Sequence, residues 1–313
     1  MKNQKVADFA SPTTLPEIQK LLDLWSVKIF ELRDIAARIL KLDIEIRRGG
    51  DENLPYFFMM RHTVELLDSI AVLVKNSSIQ PCKLILRGVL ENYFNLEYLS
   101  DSNSKKRAFQ FIGTAQYKKL KFYKKLDKNE QSHSQFIEPF EKDKKLDGYP
   151  FSQPPKLGQA IKNIESLFEK DSYKEILKEI KRISKKNKNP NWHALFDGPR
   201  NLIDLAIEMN LGGLYETYYR FWSGPIHGTN IMENHFAPND KGKLELYQIR
   251  LPFEAQSITH TTITLAIFIM QTYCEERVPH SKTLYLKWYE TNRIFFRNLS
   301  KKNLISNTDI KKN

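Results

Sequence analysis

The sequence predicts an all-α, multi-helix bundle of about ten helices, and three observations point there. Apolar residues recur at three-four spacing through most of the chain. Strand-like alternation is scarce. Only 12 of 313 residues are Gly and 14 are Pro, too few for the turn-dense sandwiches and propellers. With 41% hydrophobic and 12% aromatic residues, the chain has ample material for a large core. The expected organisation is a single domain over 1–313 with a lysine-rich helical insertion at 105–188.

Leu15 to Ile46 reads as one long helix or two short ones, with Ile18, Leu21, Leu22, Trp25, Ile29, Leu32, Ile35, Ile39 and Leu40 at three-four spacing and Gly49-Gly50 as the stop. Helices from about Pro55 to Val74 and Pro81 to Leu99, joined through Asn76, Ser77 and Ser78, form an antiparallel hairpin. Further helical stretches lie at about Lys105 to Leu126, Leu157 to Phe168, Tyr173 to Ser184, Pro199 to Met209, Leu214 to Trp222, Phe253 to Glu276 and Leu284 to Leu299. Leu244 to Ile249 suits one short extended piece, and a single strand makes no sheet. Gln256 to Cys274 carries no charged residue and is long enough to span a bilayer. Its Ser257, Thr259, His260, Thr261, Thr262, Thr264 and Gln271 would all need partners in lipid. It is therefore expected as a central buried helix, without membrane insertion. Met1 to Pro12 has no apolar run resembling a secretory signal, so a cytoplasmic protein is expected.

Lys plus Arg number 49 against 37 Asp plus Glu, a net charge of +12. From Lys105 to Lys188 there are 22 basic and 11 acidic residues, so nearly all the excess sits in that segment. RNA or another polyanion is the partner such charge favours, with Lys118, Lys119, Lys121, Lys124 and Lys125 as candidate contacts. The segment's only arginines are Arg107 and Arg182, and lysines make diffuse phosphate contacts rather than forked ones. Tyr117, Phe122 and Tyr123 lie among these lysines; they are positioned either to stack on bases or to enter the core. The two cysteines, Cys82 and Cys274, lie far apart and exclude a disulfide framework. There is no phosphate-binding Gly-Lys-Ser/Thr loop, dinucleotide fingerprint or nucleophile elbow, and no cofactor is expected.

Two stretches carry candidate chemistry. Arg87, Glu91 and Asn95 recur every fourth residue on an otherwise apolar helix, which lines them on one face. Arg61 and Glu65 repeat the arrangement one helix earlier, and one buried network of all four charges is expected, either fixing helix register or lining a polar pocket. The second stretch runs from Tyr218 to Asn230. There Arg220 and His227 are seven residues apart, about 700° of α-helical rotation, and so return to one face despite the break at Gly224-Pro225. A histidine that moves protons and an arginine that stabilises phosphate charge suit phosphodiester chemistry; a lone structural histidine is the alternative. His227, Glu233 and His235 match no metal-site spacing, and no metal is expected.

Arg61 with Glu65, Arg87 with Glu91, then Trp192, Tyr219, Ser223 and His227 resemble the pattern of a bacterial family known only as a domain of unknown function, numbered fifty-six seventy-seven. That resemblance implies an all-α protein without an assigned activity, spanning roughly Leu54 to Asn230. Arg220 and His227 are also similar to the R-x(4 to 6)-H motif of the HEPN superfamily. This second resemblance implies a HEPN-like, metal-independent endoribonuclease of a toxin or phage-defence type, acting as a homodimer. In HEPN nucleases the residue after the arginine is usually polar, whereas here it is Phe221. The alternative is a noncatalytic helical binding or sensor module.

Overall fold

The computed structural model describes residues 15–145, 152–187, 189–220, 222, 236–238, 244–246, 249–301 and 304–305. These are overwhelmingly helical, and the fold is an all-α multi-helix bundle. The chain divides into two compact units: Met1–Gly49, Tyr56–Asp101 and Ala206–Asn313 form the first, and Gly50–Pro55 with Ser102–Leu205 form the second.

In the first unit, α1 (Pro16–Glu45) is one uninterrupted helix. Proline at its first position suits a turn whose N–H groups have no intrahelical partner. Its stripe of Ile18, Leu22, Trp25, Ile29, Leu32, Ala36 and Ile39 is buried, and the Ser26 hydroxyl donates 2.9 Å to the Ala71 carbonyl. The chain then leaves through Gly50, whose φ of +99° favours glycine. Helices α2 (Leu54–Lys75) and α3 (Ile79–Ser100) form the expected antiparallel hairpin. Tyr56 donates to the Leu99 carbonyl at one end, and Asn92 meets Thr63 further along.

The second unit is built on α4 (Ser104–Leu126), which contacts α5 (Ser132–Glu141), α6 (Leu157–Phe168), α7 (Asp171–Ser184) and the 3-10 turns Asp51–Asn53 and Trp192–Asp197. Leu120, Leu126, Leu157, Ile161, Ile164, Phe168 and Tyr173 make its core, against which Tyr117 and Tyr123 pack half-buried. The lysine-rich segment 105–188 falls within this unit. Helix α5 is an addition to the expected set: it has no buried residue and holds Pro139 in its interior, so it carries no core stripe.

Two short helices, α8 (Leu202–Glu208) and α9 (Gly212–Leu214), carry the chain back to the first unit. There α10 (Ala255–Arg277) packs against α1, α3 and α11 (Lys282–Lys301), which makes it central. Its threonines become tolerable inside because Thr259, Thr262 and Thr264 donate to carbonyls one turn back, at 2.7, 2.7 and 2.9 Å. No helix among the described residues is long and apolar enough to cross a membrane.

The extended piece near Leu244 is not single. Phe236–Pro238 pairs antiparallel with Leu244–Leu246, Phe236 opposite Leu246. The partner strand, Phe236–Pro238, has only three residues, too few for a visible alternation.

Candidate functional site

On the hairpin, the four charges do not merge into one buried network. The face that α2 buries carries Tyr56, Met59, Met60, Thr63, Leu67 and Ile70. That rotation leaves Arg61 and Glu65 outside, with side chains 72% and 56% exposed and Nε to Oε1 3.0 Å apart. Such a surface pair contributes about 0.3–0.5 kcal/mol. Besides Tyr56, a side chain that does bind the two helices together is Asn92, to which the four-residue pattern gives no clue. It is buried and donates to the Met59 carbonyl at 2.9 Å and to Thr63 Oγ1 at 2.8 Å. Asn95 donates 2.7 Å back to the Glu91 carbonyl.

Arg87 and Glu91 instead meet Tyr219. This tyrosine lies in a π-helical turn, Tyr215–Arg220, that follows α9. The Tyr219 hydroxyl donates to Glu91 Oε1 at 2.7 Å and accepts from Arg87 Nη2. Arg87 Nε lies 3.3 Å from the same carboxylate oxygen, and its guanidinium carbon is 4.1 Å from the Tyr219 ring centre. The Tyr219 ring also stacks on Tyr215, centroids 4.9 Å apart. Arginine, carboxylate and phenol thus form one closed group, with Arg87 largely buried and Glu91 partly open to solvent.

Burial pushes the Tyr219 phenol up to about 12; the Glu91 carboxylate acts in the same direction and Arg87 against it. A raised phenol pKa means the folded state keeps its proton longer than the unfolded chain. Its contribution is complete below about pH 10 and is lost as pH rises to about 12. Tyr219→Phe is expected to lower unfolding free energy by about 1–3 kcal/mol at neutral pH. The gap between wild type and variant should narrow in urea titrations between pH 10 and 12; a gap that widens there rejects this assignment.

Arg220 follows at the end of the π turn. Its side chain is 64% exposed and pairs with Glu216 one turn back, Nε to Oε2 3.0 Å. The rotation that places Arg220 and His227 on one face assumes 100° per residue. The π winding of Tyr215–Arg220 ends where that rotation would begin, and of the residues from Arg220 to His227 only Arg220 and Trp222 are among those described. His227 and Ser223, like Glu233 and His235, lie outside the described residues. Trp192 belongs to the second unit, where its indole is buried edge-on against Phe111 at 5.5 Å.

The lysine set divides by environment. Lys118, Lys119 and Lys125 are exposed, and Lys121 is half-buried. Lys124 is committed to Glu165 at 2.8 Å and Glu130 at 3.7 Å. The segment's two arginines are also occupied. Arg107 is buried, and Arg182 grips Glu179 through two hydrogen bonds of 2.7 Å and reaches Asp197 at 3.2 Å. The Glu179 carboxyl, held by Arg182, lies below its ordinary range. The charge this face offers to a ligand is therefore lysine charge. In the first unit, by contrast, Glu97, Asp101, Glu208, Glu275 and Glu276 line an open cavity of about 470 Å³, a surface that repels anions. Among the described residues, no group of three or more His, Cys, Asp or Glu side chains is placed to hold a metal ion.

A family model matches residues 54–243, a stretch that contains the hairpin, the whole second unit beyond its first few residues, and the Tyr219 turn. The chain belongs to the family of unknown function DUF5677. Arg61, Glu65, Arg87, Glu91, Trp192, Tyr219, Ser223 and His227 all fall inside the DUF5677 match. No curated protein and no solved structure matches the chain.

Proposed function

We propose that this DUF5677 protein is a noncatalytic helical module that binds RNA through the lysine face of its second unit. The observation that carries this reading is the exposed stripe Lys118, Lys119 and Lys125 on α4, which has no ion-pair partner among the described residues. The neighbouring acids, Glu165 and Glu130, are spent on Lys124. Lysine contacts of this kind grip phosphates without reading sequence. A cytoplasmic location accords with such a ligand.

Labelled oligouridine titrated from 50 to 300 mM salt tests it. Wild type should bind with a steep salt dependence and little sequence preference. Replacing Lys118, Lys119, Lys121 and Lys125 by glutamine should weaken binding about tenfold or more and flatten the salt slope by about 0.7 for each phosphate no longer neutralised. Undiminished affinity in that variant overturns the reading.

A second reading, a metal-independent endoribonuclease of toxin or phage-defence type, draws on the π turn, since such turns recur at functional sites. It presents Arg220 to solvent directly before the His227 segment. Arg220 would stabilise charge on the phosphate and His227 would move the 2′-hydroxyl or leaving-group proton. A second subunit of a homodimer would supply the other acid–base group. RNA cleavage that survives EDTA and disappears in His227→Ala would establish this reading over the noncatalytic one.

A further inference from the structure

We infer that the lysine face selects single-stranded RNA, because a row of phenylalanine rings beside it forms a stacking platform for unpaired bases. This inference rests on the RNA-binding reading above. Phe122 stands in the middle of the exposed α4 stripe, four residues after Lys118 and three before Lys125, and is 50% exposed. Its ring meets Phe136 of α5 edge-on, centroids 6.1 Å apart, and Phe136 lies 5.2 Å from Phe140. Phe140 is 42% exposed. Two helices thus present Phe122 and Phe140 on either side of the half-buried Phe136, with Lys118 and Lys125 flanking Phe122.

Phe136 packs half-buried on the core of this unit, whereas Phe122 and Phe140 stay exposed and so forgo part of the gain that burying a Phe side chain would bring. Helix α5 buries no residue completely and meets α4 through the Phe122–Phe136 ring contact and through His133 Nδ1, 3.0 Å from the Lys125 carbonyl oxygen. Bases of a single strand have free π faces that stack on aromatic side chains while lysines follow the phosphates. In a duplex the base faces are already stacked on one another, so only the lysines would act. Charge complementarity favours a nucleic acid over an anionic bilayer. The ring-bearing helix α5 carries Glu138 and Glu141 and no lysine; a bilayer would surround those acids with anionic headgroups, whereas a flexible strand can keep its phosphates on the α4 lysines and offer only bases to the rings.

The test compares full-length protein binding oligouridine and an RNA hairpin duplex with the same number of phosphates, at one salt concentration. Wild type should prefer the single strand. Phe122→Ala with Phe140→Ala should weaken oligouridine binding about tenfold and leave duplex binding unchanged. Phe122→Trp should retain the preference, and circular dichroism should confirm unchanged helix content in each variant. Equal affinity for both RNAs, or a preference that persists in the double alanine variant, overturns the inference while salt-sensitive lysine binding stands. Tighter, ring-dependent binding to phosphatidylserine vesicles, or to a poly-glutamate peptide, overturns it in favour of that ligand. Absence of binding to either RNA overturns the RNA-binding reading itself.

Discussion

Asp43→Ala is expected to lower the unfolding free energy by about 3–5 kcal/mol, the largest effect expected of any single substitution in the first unit. Asp43 is fully buried near the end of α1. It receives the Arg277 guanidinium, Nε to Oδ2 3.0 Å and Nη2 to Oδ1 3.3 Å. It also accepts the Tyr273 hydroxyl at 2.6 Å and pairs with Arg48. Arg48 in turn donates 2.5 Å to the Arg277 carbonyl, closing the group. Removing the carboxylate leaves Arg277, whose side chain is 7% exposed, as a buried cation without its counter-charge. The Tyr56 and Phe57 rings, 4.9 and 5.3 Å from its guanidinium carbon, compensate only in part. Asp43→Asn should fall between wild type and alanine, because it keeps the shape and some hydrogen bonds but not the charge. Urea unfolding measures all three proteins. A stability for Asp43→Ala within about 0.5 kcal/mol of wild type would show that the group is not what joins α1 to α10.

Gly113→Leu should be the most damaging substitution in the second unit, at roughly 3 kcal/mol or more. A Cβ at Gly113 would come 2.7 Å from Ile176 Cγ2 and 3.7 Å from Tyr173 Cδ1. Both neighbours are buried in α7, so neither can swing into solvent. Glycine inside a helix costs about 1 kcal/mol relative to alanine, and this close approach is why the cost is borne here. For Gly113→Ala the propensity gain of about 1 kcal/mol opposes an overpacking cost of about 1–3 kcal/mol, leaving a small net loss. Leucine gains no more from propensity and must push α4 and α7 apart. Two unfolding transitions are expected, with the first moved to lower urea in the leucine variant. A leucine variant as stable as wild type would mean that the two helices do not need their close approach.

The extent to which the fold is legible in the sequence follows the physical origin of each feature. The stripe Ile18 to Ile39, the hairpin around Asn76 to Ser78 and the uncharged helix after Ala255 are local consequences of periodicity, breakers and composition, so the sequence alone determined them. The same holds for the charge excess of 105–188 and for the pairing of Arg87 with Glu91, one helical turn apart. Helix α5 is hidden because none of its residues is fully buried and it carries no core stripe, and the π turn because winding that differs by one residue leaves no mark on hydrophobic spacing.

Only the tertiary structure decided which polar residues matter to one another. Asp43 and Arg277 are 234 positions apart, and Tyr219 meets Glu91 across 128. Nothing in either local pattern encodes the other partner, because burial of a charge is a property of the helices packed around it. Arg61–Glu65 and Arg87–Glu91 share the same spacing, yet the first pair faces water and the second is closed by Tyr219. A helix dictates that residues four apart share a face, and only its packing dictates which face is turned inward.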